Sequence, residues 1–194
     1  MNKIIIDTET SGLPTKLTFD NFHHPSLLDK YDSARVIELG YIICSDSNNI
    51  IKKVDQLVKP VDFKIENSFV HGLEHDYVLS NGKDIKQVLD QFTNDILSND
   101  IGTIIAHNIN FDINIILSEY YRLGHENNKD IIAKLEGMNK EDTMKIGKDH
   151  MKTKKSPKLI ELYKFLFNEE FAQDHRALSD ANACLKCYFK LKAS

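Results

Sequence analysis

Lys3-Ile4-Ile5-Ile6-Asp7-Thr8-Glu9-Thr10 is the stretch on which the reading of this chain turns. Its continuously apolar start is the pattern of a strand buried on both faces of a sheet. Side chains along a strand alternate with period two, so Asp7 and Glu9 share a face if the extended chain continues through Thr8. The run therefore delivers two carboxylates together at the C-terminal edge of a buried strand, where open α/β sheets bind their ligands.

Outward from this strand, Val36 to Ser45 reads as a second apolar strand and Ile50 to Val58 as a third. The short polar connection Ser45-Asp46-Ser47-Asn48-Asn49 favours an antiparallel hairpin. Ile85, Val88, Leu89, Phe92, Ile96 and Leu97 recur at helical spacing, and Ile101 to Ala106 is the next strand. A helix is expected over roughly Asn110 to Leu123. Another is expected around Leu159 to Leu166, started by Ser156-Pro157 as cap and first-turn proline, and a last one from about Ala177 to Leu191. Residues Leu13 to Arg35, which carry His23 and His24, and residues Gly124 to Lys140 read as irregular. A meander followed by alternating strands and helices predicts a mixed α/β sheet flanked by helices.

The length of 194 residues suits a single domain spanning 1–194. No apolar run is long enough to span a membrane, and the N-terminus lacks a signal-peptide pattern, so a cytoplasmic protein is expected. Cys44, Cys184 and Cys187 form no paired framework, and Cys184-x-x-Cys187 has no second pair to complete a zinc site. The net charge of −4 is unevenly distributed: Met144 to Lys158 holds six lysines against one acid, Asp149. Such a run reads either as a contact for phosphates or as a solvated loop.

Two further acidic clusters stand at element boundaries. Asn108-x-x-Phe111-Asp112 follows the strand Ile104-Ile105-Ala106, and His175 precedes Asp180 at the start of the last helix. Singly, each has an ordinary explanation. Asp112 suits a helix first turn, worth ~0.3–1 kcal/mol, Asn108 suits a cap, and Phe111 suits a core. Asp180 borders the apolar stripe of its helix, where a buried carboxylate needs a cation, a metal or water. His175 off the packed face is a surface histidine, or a proton acceptor at neutral pH.

Taken together, Asp7-x-Glu9-Thr10, Asn108-x-x-Phe111-Asp112 and His175-x-x-x-x-Asp180 resemble, in order and surroundings, the three motifs of the DnaQ-like DEDD exonuclease superfamily, in its histidine-containing branch. Val36-Ile37-Glu38-Leu39-Gly40, His71-Gly72-Leu73, Ala106-His107-Asn108, Asp142-Thr143 and His175-Arg176-Ala177-Leu178 extend the likeness over Lys3 to about Leu191. The Leu13 to Arg35 segment is longer than in compact members.

The resemblance implies a ribonuclease H-like five-stranded mixed sheet and a 3′→5′ exonuclease releasing nucleoside 5′-monophosphates. It implies two divalent cations, Mg²⁺ or Mn²⁺, held by Asp7, Glu9, Asp112 and Asp180, with His175 as general base. Such ions act about 3.5–4 Å apart on the attacking water and the departing oxygen, and all-oxygen ligands favour them over zinc. The terminal nucleotide is expected along Thr10, Ser11, Gly12 and Leu13, with Asn108 and Phe111 shaping the groove and Lys154 and Lys155 reaching phosphates. Single-stranded or frayed DNA is the expected substrate, in proofreading or repair, which implies a DNA polymerase or a similar partner. RNA 3′-end trimming is the alternative, and a non-catalytic binding module is the reading from another class.

Overall fold

The computed structural model describes residues 1–18, 21–171 and 175–193. In chain order the elements are β1 (Asn2–Thr10), β2 (Lys16–Thr18), β3 (Asn21–Phe22), β4 (Val36–Cys44), β5 (Ile50–Leu57), α1 (Ser68–His71), α2 (His75–Asn81) and α3 (Ile85–Ser98). They continue with β6 (Ile101–Ala106), α4 (Ile109–Arg122), α5 (His125–Gly137), β7 (Asn139–Asp142), α6 (Thr143–Met151), α7 (Leu159–Phe167) and α8 (Ala177–Lys192). The main sheet has five strands in the order β5-β4-β1-β6-β7. β4 is antiparallel to both β1 and β5, whereas β6 is parallel to β1 and β7 parallel to β6. This is the mixed, helix-flanked sheet of the ribonuclease H-like fold.

The alternation of β1 explains its two-sided burial. Ile4 and Ile6 join the core formed with α3, α4 and α5, while Ile5 joins the core formed with α7 and α8. Both layers exclude water from the central strands, and all nine residues of β4 are buried. The β4–β5 turn closes through Ser45 N to Asn49 O (3.0 Å), with Asn48 at φ 63. In α3 the stripe Val88, Leu89, Phe92 and Ile96 is buried, but Leu97 lies a further 100° around the helix and is exposed.

Four segments differ from the sequence-based expectation, the first being Met144 to Lys158, whose front half is the helix α6 with Met144 and Gly147 buried rather than a solvated loop. Gly124 to Lys140 is not irregular: it contains α5 and the start of β7, the fifth strand. Its buried Ile131, Ile132 and Leu135 sit at the 3–4 spacing of a helix, though the surrounding polarity obscures them. The 13–35 segment carries the β2–β3 hairpin and a 3-10 turn, Leu28–Lys30, and is tied onto α4. Tyr31 is fully buried, and Phe22 meets Phe111 edge-on at 6.2 Å. Arg122 of α4 pairs with Asp32 at 3.0 Å. Finally, α7 begins at Leu159 rather than at Ser156-Pro157. The amide of Lys158 donates to Glu161 Oε2 (2.7 Å), and Pro157 lies ahead of the helix with its carbonyl held elsewhere.

Among the described residues no helix is long and apolar enough to cross a membrane.

Candidate active site

β1 and β6 pair only from Asn2 to Ile5. Beyond that point β1 continues beside β4 while β6 ends at Ala106 and turns into α4, so a crevice opens between the two strand ends. The turn passes through Asn108 in the left-handed region (φ 78), a conformation asparagine tolerates better than most residues. Its N–H donates to Asp142 Oδ1 (3.0 Å), which also accepts Met144 N–H (2.9 Å) at the start of α6. The chain is thereby fixed so that Asp112, in the first turn of α4, reaches back to β1. Asp112 Oδ1 accepts both the N–H (2.9 Å) and the hydroxyl (2.8 Å) of Thr8.

Asp7 and Glu9 follow Ile5 on the opposite face of the strand, the face covered by α8. Two devices bring α8 in close. Glu38, fully buried in β4 and directly opposite Glu9, accepts from Arg176 Nε (2.8 Å) and from Ala177 N–H (2.8 Å). Gly40 lies under the same turn: a Cβ there would stand 2.3 Å from Ala177 C and Leu178 N. Asp180, one turn into α8, is buried at the cluster. His175, with φ 50, precedes the helix. Glu9, His175 and Asp180 each offer a donor atom within 4.8 Å of the others. Neither His23–His24 nor Cys184–Cys187 enters such a group of three or more among the described residues.

Burial raises the carboxyl of Asp7 well above the carboxylate range, reinforced by Asp112, Asp180, Glu9 and Glu38. Burial also pushes Glu9 up to about 8, with Asp180, Glu38 and Asp112 adding repulsion and Arg176 opposing it. Burial lifts Asp112 to about 7, even though the Thr8 hydrogen bonds favour its ionised form. Like charges so crowded are stable only as protonated acids or around added positive charge. An oxygen-rich set of this kind suits a hard divalent cation, so the residues present fit the metals expected from the sequence.

A cavity of about 460 Å³ opens beside the cluster, lined by Asp7, Asn108, His175 and Asp180 and also by Lys155 and Lys158. Lys154 is exposed and does not line it. The Thr10–Leu13 loop is rigidly built: Thr10 Oγ1 donates to Gly12 O (2.7 Å), and Ser11 N–H donates to Arg35 O (2.9 Å). A Cβ on Gly12 would stand 2.5 Å from Ser33 O, so the two chain segments run in close contact. Thr10 is thus turned inward, while the side chain of Leu13 stands exposed. Phe111 is partly buried on the core.

Sequence reasoning gave no role to Glu38, Thr8 or Asp142. Glu38 had a legible signal, being the single charge in the otherwise apolar Val36–Cys44. Burying a lone carboxylate costs several kcal/mol, so a partner is implied, and the structure supplies Arg176. Thr8 and Asp142 had none, since their partners lie 104 and 34 residues away.

A mixed five-stranded sheet with acids gathered at its central strand's C-terminal end defines an α/β protein of the class that binds ligands at the sheet edge. Within that class, the family model described as exonuclease (RNase T) matches residues 4–188, and the chain belongs to this exonuclease family. Among solved structures, Escherichia coli Exonuclease I in complex with a dA16 oligonucleotide superposes with a TM-score of 0.72 at 16% identity. That match covers 99% of this chain and 41% of the other, so the chain spans well under half the length of Exonuclease I. Schizosaccharomyces pombe Pop2p, in its Mg²⁺- and Mn²⁺-bound form, matches with a TM-score of 0.73 at 17% identity, covering 98% of this chain and 82% of that one. No curated protein matches the sequence.

Proposed function

We propose that this protein is a divalent-metal-dependent 3′→5′ exonuclease of the histidine-containing DEDD type, acting on the 3′ end of single-stranded or frayed nucleic acid. The observation that carries the proposal is the convergence of Asp7, Glu9, Asp112 and Asp180, from three separate elements, on one crevice with His175 beside them. Such a crowd of buried carboxylates destabilises a domain unless it serves a cation. Membership in an exonuclease family and the oligonucleotide bound by Exonuclease I support the same reading, with DNA as the favoured strand.

In this mechanism Asp7, Glu9, Asp112 and Asp180 would hold the metal. Bound Mg²⁺ or Mn²⁺ would supply the positive charge that acidifies water and stabilises a departing oxygen. His175 accepts a proton from the attacking water. The water oxygen bonds to phosphorus, the P–O3′ bond breaks, and the 3′ oxygen leaves with the shortened strand and takes up a proton. The product is a nucleoside 5′-monophosphate. The Thr10–Leu13 loop holds the terminal nucleotide, with Asn108 and Phe111 beside it. Thr8, Glu38 and Arg176 keep the acids in place. No polymerase partner is needed for this chemistry.

The test is mononucleotide release from matched 3′-labelled DNA and RNA oligonucleotides by purified protein. Release with Mg²⁺ or Mn²⁺, its loss in chelator and its loss in Asp7→Ala are expected. Retention of the intact strand under every metal would leave a binding module instead. Undiminished cleavage by Asp7→Ala would remove the site from the chemistry.

A further inference from the structure

We propose that residues 155–158 form a strap for the phosphodiester backbone of the strand upstream of the scissile bond, and that His107 is the positioning residue holding the strap in place. The proposal rests on the nuclease reading above and assigns that site a second contact region.

The strap is fixed at three points. After α6 the chain reverses at Lys152 in the left-handed region (φ 53), and Thr153 Oγ1 then donates to Lys155 O (2.8 Å). At the far end, Lys158 N–H donates to Glu161 Oε2 (2.7 Å). Between them, buried Pro157 turns its carbonyl to His107 Nε2 at 3.0 Å. A carbonyl only accepts, so Nε2 carries the proton. In the neutral ring Nδ1 is then an acceptor, and it faces the Thr143 hydroxyl at 3.0 Å. Both nitrogens of His107 are committed, which leaves the ring no part in proton transfer and a clear structural task.

That task concerns the active site because of where His107 sits. The next residue, Asn108, makes the turn that aims α4 and Asp112 at β1, and its N–H is held by Asp142 beside Thr143. One dipeptide therefore ties the acid cluster and the lysine strap to a common frame. The result is one cavity lined both by Asp7, Asp180 and His175 and by Lys155, Ser156 and Lys158. The carboxylates suit cations, whereas lysine and serine side chains of the kind on the strap suit a phosphate. The other lysines of the run, Lys145, Lys148, Lys152 and Lys154, line no part of this cavity. Lys155 is largely exposed, and its Glu161 partner, 3.9 Å away, is a weak competitor in water. The Thr10–Leu13 loop does not line the cavity either, so the strap is a contact region separate from that loop.

The experiment measures kcat and KM for a 3′-labelled single-stranded oligonucleotide between about 50 and 200 mM salt, the range over which phosphate contacts reveal themselves. It uses the wild type, Lys155→Ala/Lys158→Ala, His107→Asn and His107→Gln. Each phosphate contact adds about 0.7 to the slope of log affinity against log salt on single strands. Losing both lysines is expected to make that slope shallower by about 1.4 and to raise KM about tenfold at low salt. His107→Asn, too short to reach Pro157, is expected to show the same two changes. His107→Gln, whose amide reaches further, is expected to recover much of both. A wild-type salt slope in the double lysine variant overturns the strap. A His107→Asn protein that loses kcat but keeps wild-type KM and slope overturns the positioning role, because a smaller folded fraction has that signature. Wild-type protein that releases no mononucleotide with either metal removes the nuclease reading and this proposal with it. Normal wild-type release beside unchanged variant slopes removes the strap alone.

Discussion

Asp112 in α4 takes both the backbone N–H and the hydroxyl of Thr8 on a single carboxylate oxygen, at 2.9 and 2.8 Å. Thr8 stands between Asp7 and Glu9 but faces the other way, so the strand itself is the spacer that sets Asp112 against the other acids. Replacing Thr8 by Val keeps the shape and removes one donor from a buried carboxylate, a loss of about 1–3 kcal/mol. Thr8→Val is expected to lower melting temperature slightly and turnover more. Wild-type turnover in a folded Thr8→Val protein would show that the orientation of Asp112 does not matter to the reaction.

Gly40 is where α8 touches the sheet, with no room for a methyl group between it and the Ala177–Leu178 backbone. Gly40→Ala forces α8 outward and takes Asp180 with it. Overpacking of this kind costs about 1–3 kcal/mol. Metal affinity, followed by titration calorimetry, is expected to fall along with stability. A variant that is destabilised yet binds Mn²⁺ like the wild type would separate the packing of α8 from the geometry of the site.

The pH dependence of the metal-free protein follows from Glu9. Its carboxyl is raised from the usual 4.5 to about 8 in the folded state, so the folded chain holds a proton that the unfolded chain releases between those values. Its contribution to stability is complete below about pH 4.5 and is lost as pH rises through about 8, at up to about 1.4 kcal/mol per pH unit. In chelator, Glu9→Gln is expected to melt above the wild type at pH 8 and to lose that advantage toward pH 4.5. Added Mg²⁺ should reverse the order at pH 8. Parallel melting curves for the two chelated proteins across this range would rule out the repulsion argument.

His175 can be separated from the acids. His175→Ala is expected to reduce single-turnover cleavage by about 10²–10⁴-fold if proton acceptance is its main role, with much smaller changes in strand binding. Because its ring lies within 4.8 Å of donor atoms on Glu9 and Asp180, metal affinity must be measured alongside. Equal losses of affinity and rate would recast the imidazole as part of the metal's support.

The sequence by itself determined the first strand, the strands at Val36 to Ser45, Ile50 to Val58 and Ile101 to Ala106, and the candidate acids. Strand periodicity is a local property: three isoleucines followed by Asp-x-Glu state both burial and the shared face of Asp7 and Glu9. The motif order likewise marked Asp112, His175 and Asp180 as candidates. The local pattern failed at Gly124–Lys140, where a polar surface hid the spacing of Ile131, Ile132 and Leu135, and with it β7. Only the tertiary structure decided how the acids are held. Thr8 meets Asp112, Glu38 grips Arg176, and His107 reaches Pro157 across 104, 138 and 50 residues. Hydrogen bonds act over about 3 Å of space and leave no periodic trace in a sequence. Whether a polar side chain is a cap, a ligand or a clamp is therefore fixed by what the fold places opposite it.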